Sequence, residues 1–221
     1  VLTFSRLADR VFSEVGGLAQ QMLTPAGQLL TLQEAARRVQ GGLSAWKGLA
    51  DKPELLQEAL RLIDECKTCA VAPETLFAAA EESEDAVLAE KLSDLAQILT
   101  AYERLCEESL PDPRDRLTHL RDRLAESHTL DGAAVYLDGF LGFTVQESAV
   151  VDAMLAAGVP LSAAVTCDTD YPEIFLTGCK TVQKLTRMAK HHNQTVERIE
   201  LGESKVARPV GLAALERESL L

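Results

Sequence analysis

One acidic side chain, Asp138, lies where a metal ligand would be expected. An apolar, β-prone run from Ala134 ends at this residue, and the chain continues Gly-Phe-Leu-Gly-Phe before a helical pattern resumes. In open parallel α/β sheets, ligands bind beyond the carboxyl ends of the strands, where an acid can hold Mg²⁺ beside a phosphate. An Asp before a Gly is also ordinary turn chemistry, because its side chain bonds the nearby backbone and Gly139 accepts a positive φ. The strand-end position alone favours the turn, so the rest of the chain has to decide.

Cysteine and histidine spacing offers no second candidate for catalysis or metal binding. The five cysteines include a single CxxC, Cys66 to Cys69, and neither a second CxxC nor a paired-histidine motif completes a tetrahedral site. We interpret them as free thiols, and an odd number of cysteines without a secretory signal fits a reducing cytoplasm. His191 and His192 are adjacent, so they do not share a helix face and receive no catalytic role.

Composition restricts the partners that this sequence can have. Of its 221 residues, 34 are acidic and 22 are Lys or Arg, which gives a net charge of −12. Strong autonomous binding to nucleic acid is therefore not expected, because it needs clustered bases. No apolar run is long enough to span a membrane, and the chain opens at Val1 without the features of a signal peptide. We expect a piece of a longer protein, in the cytoplasm and without a membrane partner.

The elements that must position Asp138 have two textures, and the first is helical. Val1 to Phe4 is predicted to be the end of a strand, and a helix follows from Arg6 to Val15. From there to about Ser127 every segment has helical periodicity, with Pro near the start of several helices. The predicted helices after the first begin near Pro25, Pro53, Pro73, Glu84 and Asp112-Pro113.

The second texture begins at Gly132, where short β-branched runs alternate with helices. Strands are predicted at 133–138, 160–167 and 195–201, and helices at 145–157 and 180–191. This alternation is typical of βαβ units on a parallel sheet. The predicted fold class is therefore α/β, a parallel sheet with a large all-helical insertion. Residues 1–17 and 131–221 would form the α/β domain, and residues 18–130 the insertion.

The order of the motifs resembles a known family. Thr3-Phe4-Ser5-Arg6-Leu7-Ala8 is followed by Asp112-Pro-Arg-Asp-Arg-Leu, then by DGFLGFTVQE from Asp138 to Glu147, and then by Val165-Thr-Cys-Asp168. This order is similar to the amino-terminal helicase-like region of AddB, or RexB, the B subunit of the ATP-dependent helicase–nuclease AddAB that processes broken DNA ends. The resemblance covers essentially the whole chain. It implies a sheet of the P-loop NTPase/helicase type, related to UvrD-type superfamily 1 helicases.

The resemblance also implies two kinds of site residue. A single-strand DNA contact, corresponding to helicase motif Ia, is implied at Thr3, Phe4, Ser5 and Arg6. A vestigial nucleotide site is implied by the motif-II-like Asp138, Gly139 and Gln146 and by the motif-III-like Asp168, Asp170 and Tyr171.

The sequence departs from a working motor at the positions that perform the chemistry. In such motors the Mg²⁺-associated Asp is followed by a Glu that orients and deprotonates the attacking water, whereas Asp138 is followed by Gly139. The sequence also contains no G-x-x-x-x-G-K-[ST] phosphate loop. We therefore expect Asp138 to be a structural or vestigial acid, and this fragment to carry no cofactor and no activity of its own. Mg-ATP would require a phosphate loop upstream in the parent protein.

Two hypotheses for the function remain open. In the first, the chain is a non-catalytic helicase-like fragment of an ATP-dependent DNA helicase/exonuclease acting in double-strand-break repair and recombination. It would bind an AddA-like subunit and help to form the single-strand path or to scan for a hotspot, with weak DNA binding alone. In the second, it is a helical protein-interaction scaffold without a nucleic-acid role. The first requires Arg6, Arg10 and other bases to gather near the strand ends, and the second lets them scatter.

Overall fold

The computed structural model describes residues 1–168, Tyr171 and residues 173–201, and these form two compact units. The first, called the helical unit below, comprises Val1–Asp131 and Thr144–Ala153. The second, called the sheet unit, comprises Gly132–Phe143 and Met154–Leu221. The predicted domain division at 1–17, 18–130 and 131–221 refers to a larger sheet and stays a prediction.

Capping residues and prolines set the helices of the helical unit. These are α1 (Phe4–Val15), α2 (Pro25–Val39), α3 (Pro53–Thr68), α4 (Pro73–Glu82), α5 (Ala86–Glu108) and α6 (Arg116–Arg123). Short 3₁₀ turns lie at Gln40–Gly42, Leu49–Asp51, Pro113–Asp115 and Leu124–Glu126. Thr24, for example, accepts a hydrogen bond from the Gly27 amide, and Pro25 needs no partner because it has no N–H. The predicted starts at Pro25, Pro53 and Pro73 are therefore confirmed.

Helices α2 to α5 enclose one hydrophobic core. Leu32, Ile63, Leu99 and Tyr102 are fully buried in it. Burial of each such side chain stabilises the fold by about 1.5–3 kcal/mol. Periodicity predicts Leu88 as part of the buried face of α5, but Leu88 is 47% exposed. It lies in the first turn of α5, before the helix reaches its neighbours, so the pattern continues further than the packing.

The sheet unit contains two parallel strands. β1 (Val135–Leu137) pairs with β2 (Leu161–Ala163), with Val135 opposite Leu161. Helix α7 (Val145–Ala156) lies between them in the sequence, and α8 (Leu176–His191) follows β2. The predicted β-α-β-α order from residue 133 to residue 191 is confirmed. Both strands are shorter than predicted, and Tyr136 in the middle of β1 is 77% exposed.

The strand predicted at Val1 to Phe4 is wrong. Val1, Leu2 and Thr3 have no regular structure, and α1 begins at Phe4. The Thr3 hydroxyl accepts a hydrogen bond from the Arg6 amide at 3.3 Å, and this cap fixes the helix start. Val1 and Leu2 are exposed. A short apolar run without a partner strand therefore does not become a strand.

The strand predicted at 195–201 is also wrong. The described residues 195–201 form no helix or strand, although they are rich in β-branched side chains. Val196, Ile199 and Leu201 are all exposed. A strand requires backbone pairing with a neighbour, and β propensity alone does not supply it.

At the level of fold class, the described chain is α/β and mostly helical, with a small parallel sheet. This confirms the broad prediction, whereas the larger sheet of P-loop type lies beyond the two strands seen here. No helix in the described ranges is long and apolar enough to cross a membrane.

Candidate functional site

The motif-Ia-like residues form the start of α1. Thr3 is the N-cap, and its carbonyl accepts from the Leu7 amide at 2.9 Å while its hydroxyl accepts from Arg6. Ser5 and Arg6 are exposed in the first turn, and Phe4 is half-buried. The first amides of a helix point outward, and the helix dipole makes this end attractive to anions. The geometry can therefore meet one phosphate without a broad basic surface.

Two exposed arginines extend this end of α1. Arg6 and Arg10 are four residues apart, which places them on one helix face. Neither takes part in an ion pair with any described residue. The arginines around α6 differ, because acids neutralise them: the pairs are Arg114 with Asp64, Arg116 with Asp9, Arg121 with Asp122, and Arg123 with Glu126. Arg6 and Arg10 therefore remain available to an anionic ligand.

The motif-II-like acid lies directly after β1. Asp138 is exposed, and no described side chain or backbone group pairs with its carboxylate. Gly139 has a φ of +79°, a left-handed conformation that glycine adopts without strain. Within the described ranges no group of three or more His, Cys, Asp or Glu residues is arranged to hold a metal ion. The local geometry therefore matches the turn interpretation.

The loop after Asp138 is held within the sheet unit. The rings of Phe140 and Phe143 stack with centroids 4.9 Å apart. Thr181 of α8 donates its hydroxyl hydrogen to the Leu141 carbonyl at 2.8 Å. These contacts give the Gly-Phe-Leu-Gly-Phe sequence a structural role.

The end of the same motif is a capping box in the helical unit. The Glu147 amide donates to the Thr144 hydroxyl at 3.1 Å, and the Thr144 amide donates to the Glu147 carboxylate at 2.8 Å. This reciprocal pair satisfies two amides at the start of α7. Sequence reasoning used the TVQE letters only as part of the family motif, although threonine followed three residues later by glutamate is a known helix-start signal.

Gln146, the last motif-II-like residue, contacts the segment before α6. Its half-buried amide donates to the Arg114 carbonyl at 2.9 Å and to the Thr118 hydroxyl at 3.3 Å. The side chain is thus used for packing α7 against the Asp112-Pro-Arg-Asp-Arg-Leu motif inside the helical unit. Its relation to a nucleotide stays a prediction.

The motif-III-like residues lie between β2 and α8. Asp168 is half-buried, and its carbonyl accepts from the Cys179 thiol at 3.4 Å. The Tyr171 carbonyl accepts from the Ile174 and Phe175 amides at 3.2 Å and so leads into α8. Asp170 lies outside the described residues.

A buried polar cluster around Asp112 was not foreseen from the sequence. The Asp112 carboxylate is fully buried and accepts from Gln28 at 2.8 Å, from the Tyr102 hydroxyl at 2.9 Å and from the Arg114 amide at 2.9 Å. Burial raises the pKa of Tyr102, so its hydroxyl stays protonated and donates. The only sequence signal was Asp112-Pro113, which predicted a cap and not a core acid.

Lys67 adds a buried cation to this cluster. Its ammonium lies 2.6 Å from the Asp115 carboxylate and 3.8 Å from Asp112. The ammonium also lies 5.8 Å from the centre of the Tyr102 ring. An open cleft of about 370 Å³ borders this cluster, and Glu103 and His119 are among its lining residues. Every buried charge here has a partner, so the cluster joins helices and offers no unpaired group to a ligand.

An exposed acid connects the end of α1 to the turn after α6. Glu14 accepts from the Ser127 hydroxyl at 2.5 Å, the His128 amide at 2.8 Å and the Thr129 hydroxyl at 3.0 Å. These hydrogen bonds, led by Ser127, lower the pKa of Glu14 to about 2. A hydrogen bond from Asp131 raises the pKa of His128. The network fixes the carboxyl end of α1, opposite the end that carries Thr3.

The fold and its motifs define the class to which this chain belongs. It is an α/β chain in which a large helical unit accompanies a small parallel sheet, with the motif order of an AddB amino-terminal region. A family model described as ADDB, N-terminal, matches residues 1–216. The chain therefore belongs to the AddB amino-terminal family.

Several curated proteins are similar to this chain, and three of them carry the same name, the B subunit of an ATP-dependent helicase/deoxyribonuclease. The protein of Desulforudis audaxviator is 35% identical over 99% of this chain and 20% of its own length. The protein from a Thermoanaerobacter species is 31% identical over 90% of this chain and 18% of its own length. The one from Acetivibrio thermocellus is 32% identical over 89% of this chain and 18% of its own length. The chain thus spans about a fifth of the length of these relatives.

Proposed function

We propose that this chain is a non-catalytic helicase-like part of the B subunit of an ATP-dependent helicase/deoxyribonuclease, and that it contacts the unwound DNA strand. The observation that carries the proposal is the start of α1, a capped and exposed helix end beside two arginines without acidic partners. Such an end binds a phosphate through backbone amides and a cation together. It coincides with the residues that the family resemblance assigns to a single-strand contact.

The non-catalytic role is supported by what surrounds Asp138. An ATP-hydrolysing site needs a base beside the Mg²⁺-associated acid, and Gly139 has no side chain to act as one. The acid is exposed and has no second carboxylate, histidine or thiolate grouped with it among the described residues. These residues do not fit a Mg-ATP site by themselves, and no step of catalysis is assigned to them.

The two-stranded sheet supports a larger assembly. Parallel sheets are usually covered on both faces, but Tyr136 is 77% exposed and β1 and β2 pair only with each other in the described residues. We infer that in the whole subunit these strands belong to a wider parallel sheet of the P-loop NTPase/helicase type. Helix α1 and the insertion at 18–130 would then be carried on that sheet.

The partner is inferred from the name of the relatives and from charge. A protein named as one subunit has at least one other subunit beside it, and we propose an AddA-like helicase–nuclease in this role. The net charge of −12 repels free DNA, so productive strand contact would depend on the assembled complex. Within it, the chain would help to assemble the subunits and to guide or scan the strand for a recombination hotspot during double-strand-break repair.

The proposal predicts weak but localised binding by the isolated chain. We expect a dissociation constant for single-stranded DNA of about 10⁻⁴ to 10⁻⁶ M at physiological salt, the range of non-specific contacts. With two phosphates neutralised, the slope of log K against log salt would be about −1.4. Fluorescence anisotropy with a labelled oligonucleotide measures both quantities.

Matched variants locate this binding. The double substitution Arg6→Gln with Arg10→Gln should remove most of the salt-dependent affinity. The control Arg37→Gln with Arg104→Gln makes the same change of charge at exposed arginines on α2 and α5 that also lack acidic partners among the described residues. Equal loss in both pairs, or nanomolar binding by the unaltered chain, would contradict a contact at α1. A chain with no measurable binding in either form would favour the interaction-scaffold hypothesis.

A further inference from the structure

Two thiols of the sheet unit are in direct contact. The sulfur atoms of Cys167 and Cys179 lie 2.9 Å apart, and both side chains are half-buried free thiols. Cys167 follows β2, and Cys179 lies in the first turns of α8, where its amide donates to the Phe175 carbonyl. The function proposed above uses neither residue.

A close approach of two backbones holds the thiols together. Gly178 is buried, and a Cβ atom at this position would lie 1.9 Å from the Thr166 carbonyl oxygen. Only glycine allows α8 to approach the segment after β2 so closely. Because Gly178 precedes Cys179 and Thr166 precedes Cys167, this contact places the two sulfur atoms next to each other. Their proximity therefore follows from the packing of two elements and not from flexible side chains.

We propose that Cys167 and Cys179 form a redox-sensitive pair that closes an intrachain disulfide by exchange with a small-molecule disulfide of the glutathione type. One protein thiolate attacks a sulfur of the small disulfide, the bond between its two sulfurs breaks, and the first small thiol leaves. The second protein thiolate then attacks the protein sulfur of the mixed disulfide and releases the second small thiol. Both cysteines are oxidised, the small disulfide is reduced, and the two thiol protons pass to the two departing thiolates.

The other cysteines are less suited to this reaction. Cys66 and Cys106 are buried in the helical core, and burial raises the pKa of both thiols, that of Cys106 to about 11. Cys69 is exposed, but no hydrogen bond joins its sulfur to that of Cys66 in the described chain. The hydrogen bond to Cys179 raises the pKa of Cys167, so exchange should become faster as the pH rises above neutral.

The disulfide would act on the motif-III-like segment. It would close a covalent ring from the end of β2 to the start of α8, and this ring contains Asp168 and Tyr171. Cross-linking restricts the unfolded chain and fixes the ends of the enclosed segment. Disulfides in reducing compartments are characteristically transient and redox-sensing, which suits a pair whose thiols remain accessible.

The test uses the full 221-residue chain in its native state. Reduced protein is equilibrated with increasing ratios of oxidised to reduced glutathione, free thiols are blocked with N-ethylmaleimide, and the protein is digested for mass spectrometry. We expect a cross-linked peptide joining Cys167 to Cys179 at ratios where Cys66, Cys69 and Cys106 are still alkylated. The urea midpoint of the oxidised protein should be higher than that of the reduced protein.

Matched variants separate a specific pair from general thiol oxidation. Cys167→Ser should abolish the urea shift and leave Cys179 as a reversible mixed disulfide, while Cys69→Ser should behave like the unaltered chain. Circular dichroism confirms that each variant is folded. The proposal is overturned if Cys167 and Cys179 remain alkylated when Cys69 is already glutathionylated, if Cys66 and Cys69 cross-link first, or if the pair forms only after denaturation.

Discussion

Asp112 shows how one buried side chain can hold an irregular segment in place. Its carboxylate accepts three hydrogen bonds, from α2, from α5 and from the 3₁₀ turn before α6, and Lys67 of α3 lies nearby. A buried charge is tolerated only when its partners are present, and here each has a defined position. The Asp112-Pro-Arg-Asp-Arg-Leu motif is therefore explained by packing.

Removal of this carboxylate should destabilise the helical unit strongly. Asp112→Ala leaves the buried Lys67 with one partner fewer and strands the donors of Gln28 and Tyr102. We expect the free energy of unfolding to fall by about 3–5 kcal/mol, as for other broken buried pairs. Urea denaturation measures the change. The control Asp122→Ala removes an acid whose ion pair with Arg121 is about half exposed, and it should cost no more than about 1 kcal/mol. Similar losses for both variants would contradict the role given to Asp112.

Glu14 makes stability depend on acid. Its pKa is lowered from 4.5 to about 2 in the folded chain, because hydrogen bonds from Ser127, His128 and Thr129 favour the ionised form. Its contribution is therefore fully present above pH 4.5 and is lost as the pH falls towards 2. Glu14→Gln should be less stable than the unaltered chain at neutral pH, and the difference should shrink through this window. A carboxyl NMR titration of Glu14 with a midpoint near 4.5 would refute this.

The structure shows which elements the sequence could predict. Helices with a proline start and a capping side chain were placed within a few residues, because these signals act locally. The strands at Val1 to Phe4 and at 195–201 failed, because a strand depends on a neighbour that sequence periodicity does not contain. The candidate site followed the same rule. The Thr3 cap is local and explains the start of α1, whereas the Asp112 cluster and the Cys167 contact join residues from different elements.

The junction between β2 and α8 should tolerate no side chain at Gly178. A Cβ atom there would lie 1.9 Å from the Thr166 carbonyl, so α8 would have to move. We expect Gly178→Ala to lower stability by about 1–3 kcal/mol, as overpacking does elsewhere. Gly142→Ala is a suitable control in the same unit, because its new Cβ would make only ordinary contacts at 3.6 and 3.7 Å with Thr177 and Thr181. Equal midpoints in urea for the two variants would argue against the close approach.

At the scale of the whole molecule, charge and length set the limits of function. A net charge of −12 opposes autonomous DNA binding, and the chain spans about a fifth of its relatives. The arginines around α6 are paired with acids, so the cationic potential of α1 comes from Arg6 and Arg10. A small local contact inside a larger complex reconciles an acidic surface with a role on DNA.

The most direct test measures salt-dependent strand binding by the assembled two-subunit complex. The chain would carry Arg6→Gln with Arg10→Gln, and the control complex would carry Arg37→Gln with Arg104→Gln. If the start of α1 contacts the strand, the first pair should weaken binding to single-stranded DNA and reduce the salt slope by about 1.4, which is about 0.7 for each lost phosphate contact. The control pair should leave both quantities unchanged. An unaltered affinity and salt slope in the Arg6 and Arg10 variant would contradict the proposed contact.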